Sequence, residues 1–238
     1  MSDLIELRKE LKSMANSQKA KDLQRFFKTG KGDYGEGDIF LGVVVPEQRK
    51  ITKKYAQLNL EDIRNLLYSK IHEERLIALL ILVDKYKKSN NESEKRKIFD
   101  FYLANSRNIN NWDLVDLSAP NIVGDFLLNR KDERKILYKL AKSENIWERR
   151  IAVLATFTFI RNHDFEDSLN LSESLLKDEH DLIHKAVGWM LREIGKRDEN
   201  VLEEFLKRYY EKMPRTMLRY SIEKFSKERR QKYLEGEI

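Results

Sequence analysis

HEERLIALLIL (72–82), NNWDLVDLSA (110–119), IWERRIAVLAT (146–156) and DLIHKAVGWML (181–191) are four versions of one pattern. In each, a polar turn leads into apolar residues spaced three and four apart, the period of an amphipathic helix. Their starts lie 38, 36 and 35 residues apart. Two of them share a start signal, Asn110 with Asp113 and Asn145 with Glu148. In that pairing an Asn caps the helix and an acid three residues on reaches back to its N–H. The same device at the same place in two segments points to repetition, which apolar content alone does not.

Working outward, the helical spacing continues in Leu76, Leu79, Leu80 and Val83, and again in Leu202, Phe205, Leu206 and Tyr209. Pro46, Pro120 and Pro214 each read as a helix start, where a missing N–H is tolerated. VVV at 43–45 is the best strand candidate, and it stops at a proline. The expected fold is therefore all-α, a solenoid of two-helix repeats of HEAT-like size. No linker interrupts it, so residues 1–238 read as a single domain with a curved, concave face. Residues 30–42, GKGDYGEGDIFLG, hold five of the nine glycines and break the pattern. Gly30, Gly32 and Gly35 match G-x-G-x-x-G, but a charged helix precedes them where a dinucleotide site needs a strand. Asp33, Glu36 and Asp38 would also repel a pyrophosphate, so this segment reads as a flexible loop between helices.

Composition narrows the function. The chain has 238 residues, 36% of them charged, with 46 Lys and Arg against 40 Asp and Glu. Nine glycines, three prolines and 24 aromatics exclude collagen-like, low-complexity and disordered classes. No run of 18 uncharged apolar residues exists to span a membrane. The start MSDLIELRKELK lacks the apolar stretch of a secretory signal, so a cytosolic protein is expected. Absence of cysteine removes disulfides, cysteine-ligated zinc and iron–sulfur sites, and thiol nucleophiles. His180 and His184 have zinc-ligand spacing, but Asp181 stands where a zincin needs Glu and no third ligand follows, so a capped helix start is the better reading.

The sharper cluster is NNWDLVDLSAP at 110–120. Trp112 and Asp116 lie one helical turn apart and project from one face. Asp113 lies about 100° away and is read as the cap partner. A carboxylate beside an indole attracts cations through both its charge and the ring quadrupole. Arg150 and Trp189 occupy the matching helices of the next two repeats and are expected to converge with Trp112 and Asp116 on the concave face. From Lys196 to Lys232 twelve basic residues, Arg215 and Arg219 among them, outnumber seven acids. Such a basic surface on a solenoid suits a phosphate backbone.

At these residues the sequence resembles the bacterial AlkD-type DNA alkylation repair family, the HEAT-like-repeat DNA glycosylases. FLGVVVPEQRK (40–50), NNWDLVDLSAP (110–120), WERRIAVLAT (147–156), HDLIHKAVGWMLREIGK (180–196) and MPRTMLRYSIEKF (213–225) carry the likeness in family order. The resemblance implies a monofunctional, monomeric enzyme that excises positively charged N3- and N7-alkylated purines from duplex DNA without turning the lesion into a pocket. It places the catalytic aspartate at Asp116, the tryptophans against the lesion's sugar-phosphate at Trp112 and Trp189, and a backbone arginine at Arg150. It adds Arg49 and Arg192 as phosphate contacts and implies no metal or organic cofactor and no obligate protein partner. One departure is Phe26-Phe27, where family members can carry a tyrosine near the lesion. Two other classes compete: a non-catalytic member that binds bent or branched DNA, and a protein-interaction scaffold.

Overall fold

The computed structural model describes residues 3–237, and among these the fold is all-α. Extended backbone pairs only at one isolated parallel bridge, Ile39 with Ile71. The chain forms two compact units, Met1–Ser118 and Ala119–Ile238. The first holds α1 (Asp3–Ser13), α2 (Ser17–Phe26), α3 (Val45–Lys54), α4 (Leu60–Leu67), α5 (His72–Lys88), α6 (Glu92–Ala104) and most of α7 (Trp112–Ala119). The second holds α8 (Asp125–Leu127), α9 (Lys135–Ala141), α10 (Ile146–Arg161), α11 (Glu166–Ser174), α12 (Asp181–Gly195), α13 (Glu199–Tyr209), α14 (Arg215–Ser221) and α15 (Lys227–Glu235). All four repeated segments open a helix, at His72, Trp112, Ile146 and Asp181. None of the described helices is long and apolar enough to cross a membrane.

Each unit is organised around a helix that buries more than one face. In the first unit α5 buries every residue from His72 to Val83 and packs against α3, α4 and α6. Its apolar run has no polar side to offer water, so neighbours must cover it all round. In the second unit α10 does the same from Arg150 to Thr156, packed by α9, α11 and α12. Around these, helices with one apolar stripe complete the layers, as α1 does with Leu4, Leu7 and Leu11.

The helix starts explain part of the repetition and correct part of its reading. Asn145 caps α10, accepting from the N–H groups of Trp147 (2.8 Å) and Glu148 (3.3 Å). At this start Ser143 Oγ accepts from the Asn145 N–H at 3.1 Å and donates to Glu148, so the serine relays between the two. Ser89, Asn91 and Glu94 build the same relay at the start of α6. The expected cap of Asn110 with Asp113 is not formed. Asn111 takes that place, its Oδ1 accepting from the Trp112 N–H at 2.8 Å, and Asp113 turns to another partner. Pro46 lies in the first turn of α3 and Pro214 caps α14, as expected. Pro120 does not start a new helix: it follows α7 directly and opens a π-helical segment, Pro120–Gly124. A wider turn tolerates a proline ring that an α-turn would expel. Val43 and Val44 form no strand and lead into α3 at Val45. His180 caps α12, its Nδ1 accepting from the Leu182 N–H at 3.1 Å, and no group of three or more metal-binding side chains occurs among the described residues.

Residues 30–42 join α2 to α3 through turns that are tied down at their far end. Ile39 donates to Lys70 O at 3.0 Å, and its own carbonyl accepts from the His72 N–H at 2.8 Å. Glu73 then caps the next three residues, its carboxylate accepting from the N–H groups of Leu41, Gly42 and Val43 at 2.8–3.3 Å. Gly42 has φ +82°, and a Cβ there would lie 2.2 Å from Asn16 O, so only glycine fits.

Below this strap lies a buried cluster of charges. His72, 2% exposed, has Nδ1 3.2 Å from Asp38 Oδ2 and Nε2 2.8 Å from Asp113 Oδ2. Arg75 Nη2 donates to Asp38 Oδ1 at 2.7 Å, and Asn111 Nδ2 donates to Asp38 Oδ2 at 3.3 Å. Two carboxylates facing one ring favour the imidazolium, in which both nitrogens donate, while Arg75 Nη2, 3.4 Å from Nδ1, opposes it. Burial opposes charging it, but its bonds to Asp113 and Asp38 prevail and hold the His72 pKa above the ordinary histidine value. Burial likewise raises the Asp38 pKa, yet His72, Arg75 and Asn111 together take it below the ordinary carboxylate value.

Two measurements test this account. A Cβ on Gly188 of α12 would meet Tyr220 Cβ at 2.5 Å and Met217 O at 2.6 Å, where α12 packs on α14. Overpacking costs about 1–3 kcal/mol and the helix gains about 1 kcal/mol from alanine, so Gly188→Ala is expected to lose about 1 kcal/mol in a denaturant titration. The charged cluster sets the pH dependence of stability. Asp38 stabilises above its unfolded pKa and loses that contribution as pH falls through its lowered folded value. His72 stabilises fully below its unfolded pKa and loses that contribution as pH rises through its raised folded value. Thermal melts of Asp38→Asn and His72→Gln are each expected to be lower at neutral pH and flatter on the corresponding limb.

Candidate nucleic-acid interface

Trp112 and Asp116 stand one turn apart on α7, both half-buried, as their spacing predicts. The indole is stacked on Phe27, with centroids 5.2 Å apart and planes 16° apart, and meets the edge of Phe26 at 6.0 Å. Phe27 stacks in turn on Phe40 (5.0 Å, 21°), and Phe40 on His72 (4.5 Å, 21°). Four rings thus form a column that ends at the His72 imidazole. Phe27 is buried, whereas Phe26 is 63% exposed beside the indole. An exposed phenylalanine beside a half-open tryptophan is apolar surface of the kind that marks a binding site. Asp116 adds its negative charge on the same helix face, and that charge reaches Tyr102: burial first, then the carboxylate, raises the tyrosine's pKa. The Tyr102 hydroxyl lies 2.8 Å from Ser118 Oγ, which donates to Leu114 O at 2.5 Å. The face can therefore offer a flat π-surface and a carboxylate to a cation.

Beside the column a cavity of about 440 Å³ opens between α2, the strap and α5. Phe27, Phe40, Val43, Leu76 and Gln48 line it, with His72 and Asp113 at one wall. Its walls are mainly apolar.

The other expected site residues, apart from Arg49, lie in the second unit. Trp189 is half-buried on α12, its ring 5.7 Å from Phe157 and tilted by 50°. It bonds Glu193, whose pKa burial raises but Lys196, Arg197 and Trp189 together lower. Arg150 is 5% exposed and donates from Nη1 to Leu182 O at 2.6 Å, so it is joined to the start of α12. Its neighbour Arg149 pairs with Asp178 at 2.7 Å and donates to Ser143 O and Glu144 O. Arg192 forms an ion pair with Glu223. Arg215 and Arg219 are exposed on α14, which packs against α12, and Arg49 is exposed on α3 of the first unit. The structure therefore brings Trp112 together with Asp116, and gathers Arg150, Trp189, Arg192, Arg215 and Arg219 on or against α12.

Sequence reading missed Phe27 as the support of Trp112, and His72 and Asp38 as the support of Asp113. One signal was available. HEER directly precedes an apolar run that buries all round, so its four charged or polar side chains had to be enclosed and find partners.

Comparison with other proteins agrees with this picture. No curated protein is detectably similar in sequence. Among solved structures, the chain is similar to a protein of Enterococcus faecalis described as a predicted DNA alkylation repair enzyme. That match has a TM-score of 0.70 and 17% identity, and covers 90% of this chain and 98% of that one. AlkD2 of Streptococcus mutans is similar with a TM-score of 0.56 and 16% identity over 89% of this chain and 99% of that one. The protein smu.31 of Streptococcus mutans UA159 is similar with a TM-score of 0.54 and 17% identity over 98% and 96%. At these identities the likeness establishes the helical-repeat fold. The sequence pattern that defines the DNA alkylation repair enzymes matches residues 7–225, nearly the whole chain, and the chain belongs to that family.

Proposed function

We propose that this protein is a DNA glycosylase that hydrolyses the N-glycosidic bond of positively charged N3- and N7-alkylated purines in duplex DNA, without turning the lesion into a pocket. The observation that carries the reading is the pairing of Trp112 with Asp116 on one half-open face of α7, widened by exposed Phe26. An alkylated purine is already a cation and leaves without a strong general acid. As it leaves, the sugar develops oxocarbenium character, as in glycoside hydrolysis. Asp116 stabilises that charge and orients the attacking water, while Trp112 on the same helix adds cation–π attraction. No base is extruded, so an unstacking cost of a few kcal/mol is avoided.

In this reading Arg49, Arg215 and Arg219 contact phosphates from exposed positions, and Arg192 exchanges Glu223 for a phosphate. Arg150 serves the interface through α12, whose first turn it holds at Leu182. The enzyme acts as a monomer in the bacterial cytosol, with duplex DNA as its partner.

Excision and binding are separable in two experiments. Asp116→Asn keeps the side-chain shape and removes its charge, so release of 7-methylguanine or 3-methyladenine is expected to fall by one to three orders of magnitude, the equivalent of about 2–4 kcal/mol. Its DNA affinity is expected to hold or rise slightly. Unchanged base release would remove Asp116 from the catalytic role, and no release by the wild type with affinity intact would favour a DNA-binding member without catalysis. Binding itself is expected to weaken steeply with salt, and Arg215→Ala or Arg49→Ala to reduce the magnitude of the salt slope by about one. Affinity indifferent to salt would favour a protein scaffold.

A further inference from the structure

The first turn of α7 is held at two adjacent residues by two different means. Trp112 is held by stacking on Phe27. Asp113 is held by His72, whose Nε2 lies 2.8 Å from its Oδ2. The second oxygen of Asp113, Oδ1, is buried and has no partner, and the residue borders the cavity, where no packing replaces the bond. His72 is thus the donor on which the carboxylate depends. The ring column makes the same imidazole the far end of the stack that supports Trp112. Both holds on α7 converge on one side chain.

We propose that His72, as the imidazolium, is a positioning residue for the repair reaction, clamping the first turn of α7 through Asp113 and the ring column and so holding Trp112 and Asp116 in register with DNA. The inference rests on the repair reading of those two residues. The groups that face the ring are Asp38 from the strap, itself bonded by Asn111 just before α7, Asp113 from α7, Arg75 from its own helix, and Phe27 and Phe40 as neighbouring rings. Glu73 is turned to the strap N–H groups, and Lys19 and Asp22 of α2 border the same cavity as His72. Loss of the proton leaves one N–H for two carboxylates; Asp38 keeps Arg75 and Asn111 as donors, so half-buried Asp113 loses either its donor or the positive charge that faces it, and the clamp loosens. A hydrogen bond to a charged donor is about twice as strong as one to a neutral donor, so the loss is felt at the first turn of α7.

The chain has four histidines and three tryptophans, so the signals of His72 and Trp112 are assigned by their absence in His72→Gln and Trp112→Phe. Nitrogen-edited spectra of the wild type are expected to show both His72 ring nitrogens protonated at neutral pH, and the Trp112 indole signal to move with the midpoint at which that proton is lost. Base release from 7-methylguanine DNA is expected to decline on the alkaline side with the same midpoint. In His72→Gln that alkaline limb is expected to disappear, with kcat lowered between about tenfold and a hundredfold, the scale of a misplacement of about 1 Å, and KM little changed. Asp113→Asn, which keeps a side chain at the same place, is expected to lower kcat in the same way with less effect on folding. A neutral His72 ring at pH 7, or an indole signal indifferent to its titration, overturns the inference. So does an alkaline limb that persists in His72→Gln. Wild-type protein that releases no base at any pH while His72 and Trp112 titrate together bears out the clamp and overturns the repair reading.

Discussion

Within the first unit, the enclosure of four charged or polar side chains at the start of α5 is the constraint on which the local structure depends. His72, Glu73, Glu74 and Arg75 are all buried because the apolar run behind them is covered on every side. Each therefore has to find its own partner, and the partners come from distant parts of the chain. His72 and Arg75 take Asp38, His72 takes Asp113, Glu73 takes the N–H groups of residues 41–43, and Glu74 takes Arg8 of α1 at 3.0 Å. Removing one member of such a set strands a buried charge, which costs about 3–5 kcal/mol, far more than a surface ion pair contributes. The same turn thus ties α1, the glycine-rich strap and α7 to one helix.

The second unit reaches the same end with a single arginine. Arg134, 4% exposed, donates to Asp164 at 2.8 Å, to Asp167 at 2.7 Å and to the carbonyls of Leu127 and Leu128, and it lies over the ring of Phe159. A planar guanidinium with five donors can satisfy that many acceptors where a lysine cannot. It fastens the end of the helical run through Leu128 to α10 and α11. In both units buried charge serves to join elements that lie far apart in sequence: α7 is tied to α5 in the first, and in the second buried Arg150 of α10 also bonds Leu182 O at the start of α12.

The relation of site to scaffold also explains why aromatic residues recur beside Trp112. An indole that is to present one face to a ligand must be held at the other, and Phe27 supplies that support. Such rings bring large contact area at little entropic cost. Phe26 leaves the rim apolar, so this face offers stacking and charge with no hydroxyl at that position.

Much of this protein is legible in its sequence, for a local reason. A 3.6-residue period, an Asn at a helix start and a proline in a first turn act over a few residues, so the helices from His72, Ile146 and Asp181 and the caps at Asn145 and His180 follow from composition and spacing. The pairing of Trp112 with Asp116 follows from helix geometry in the same way. Only the tertiary structure decided what Asp113 does. Local rules assign it to a cap three residues away, but a buried imidazole 41 residues distant, with its own desolvation to offset, is the stronger claimant. The same holds for Arg150 and Leu182, and for Glu73 and the strap: partners separated by some 30 residues meet because burial leaves them no water, a condition that folding creates and no spacing encodes.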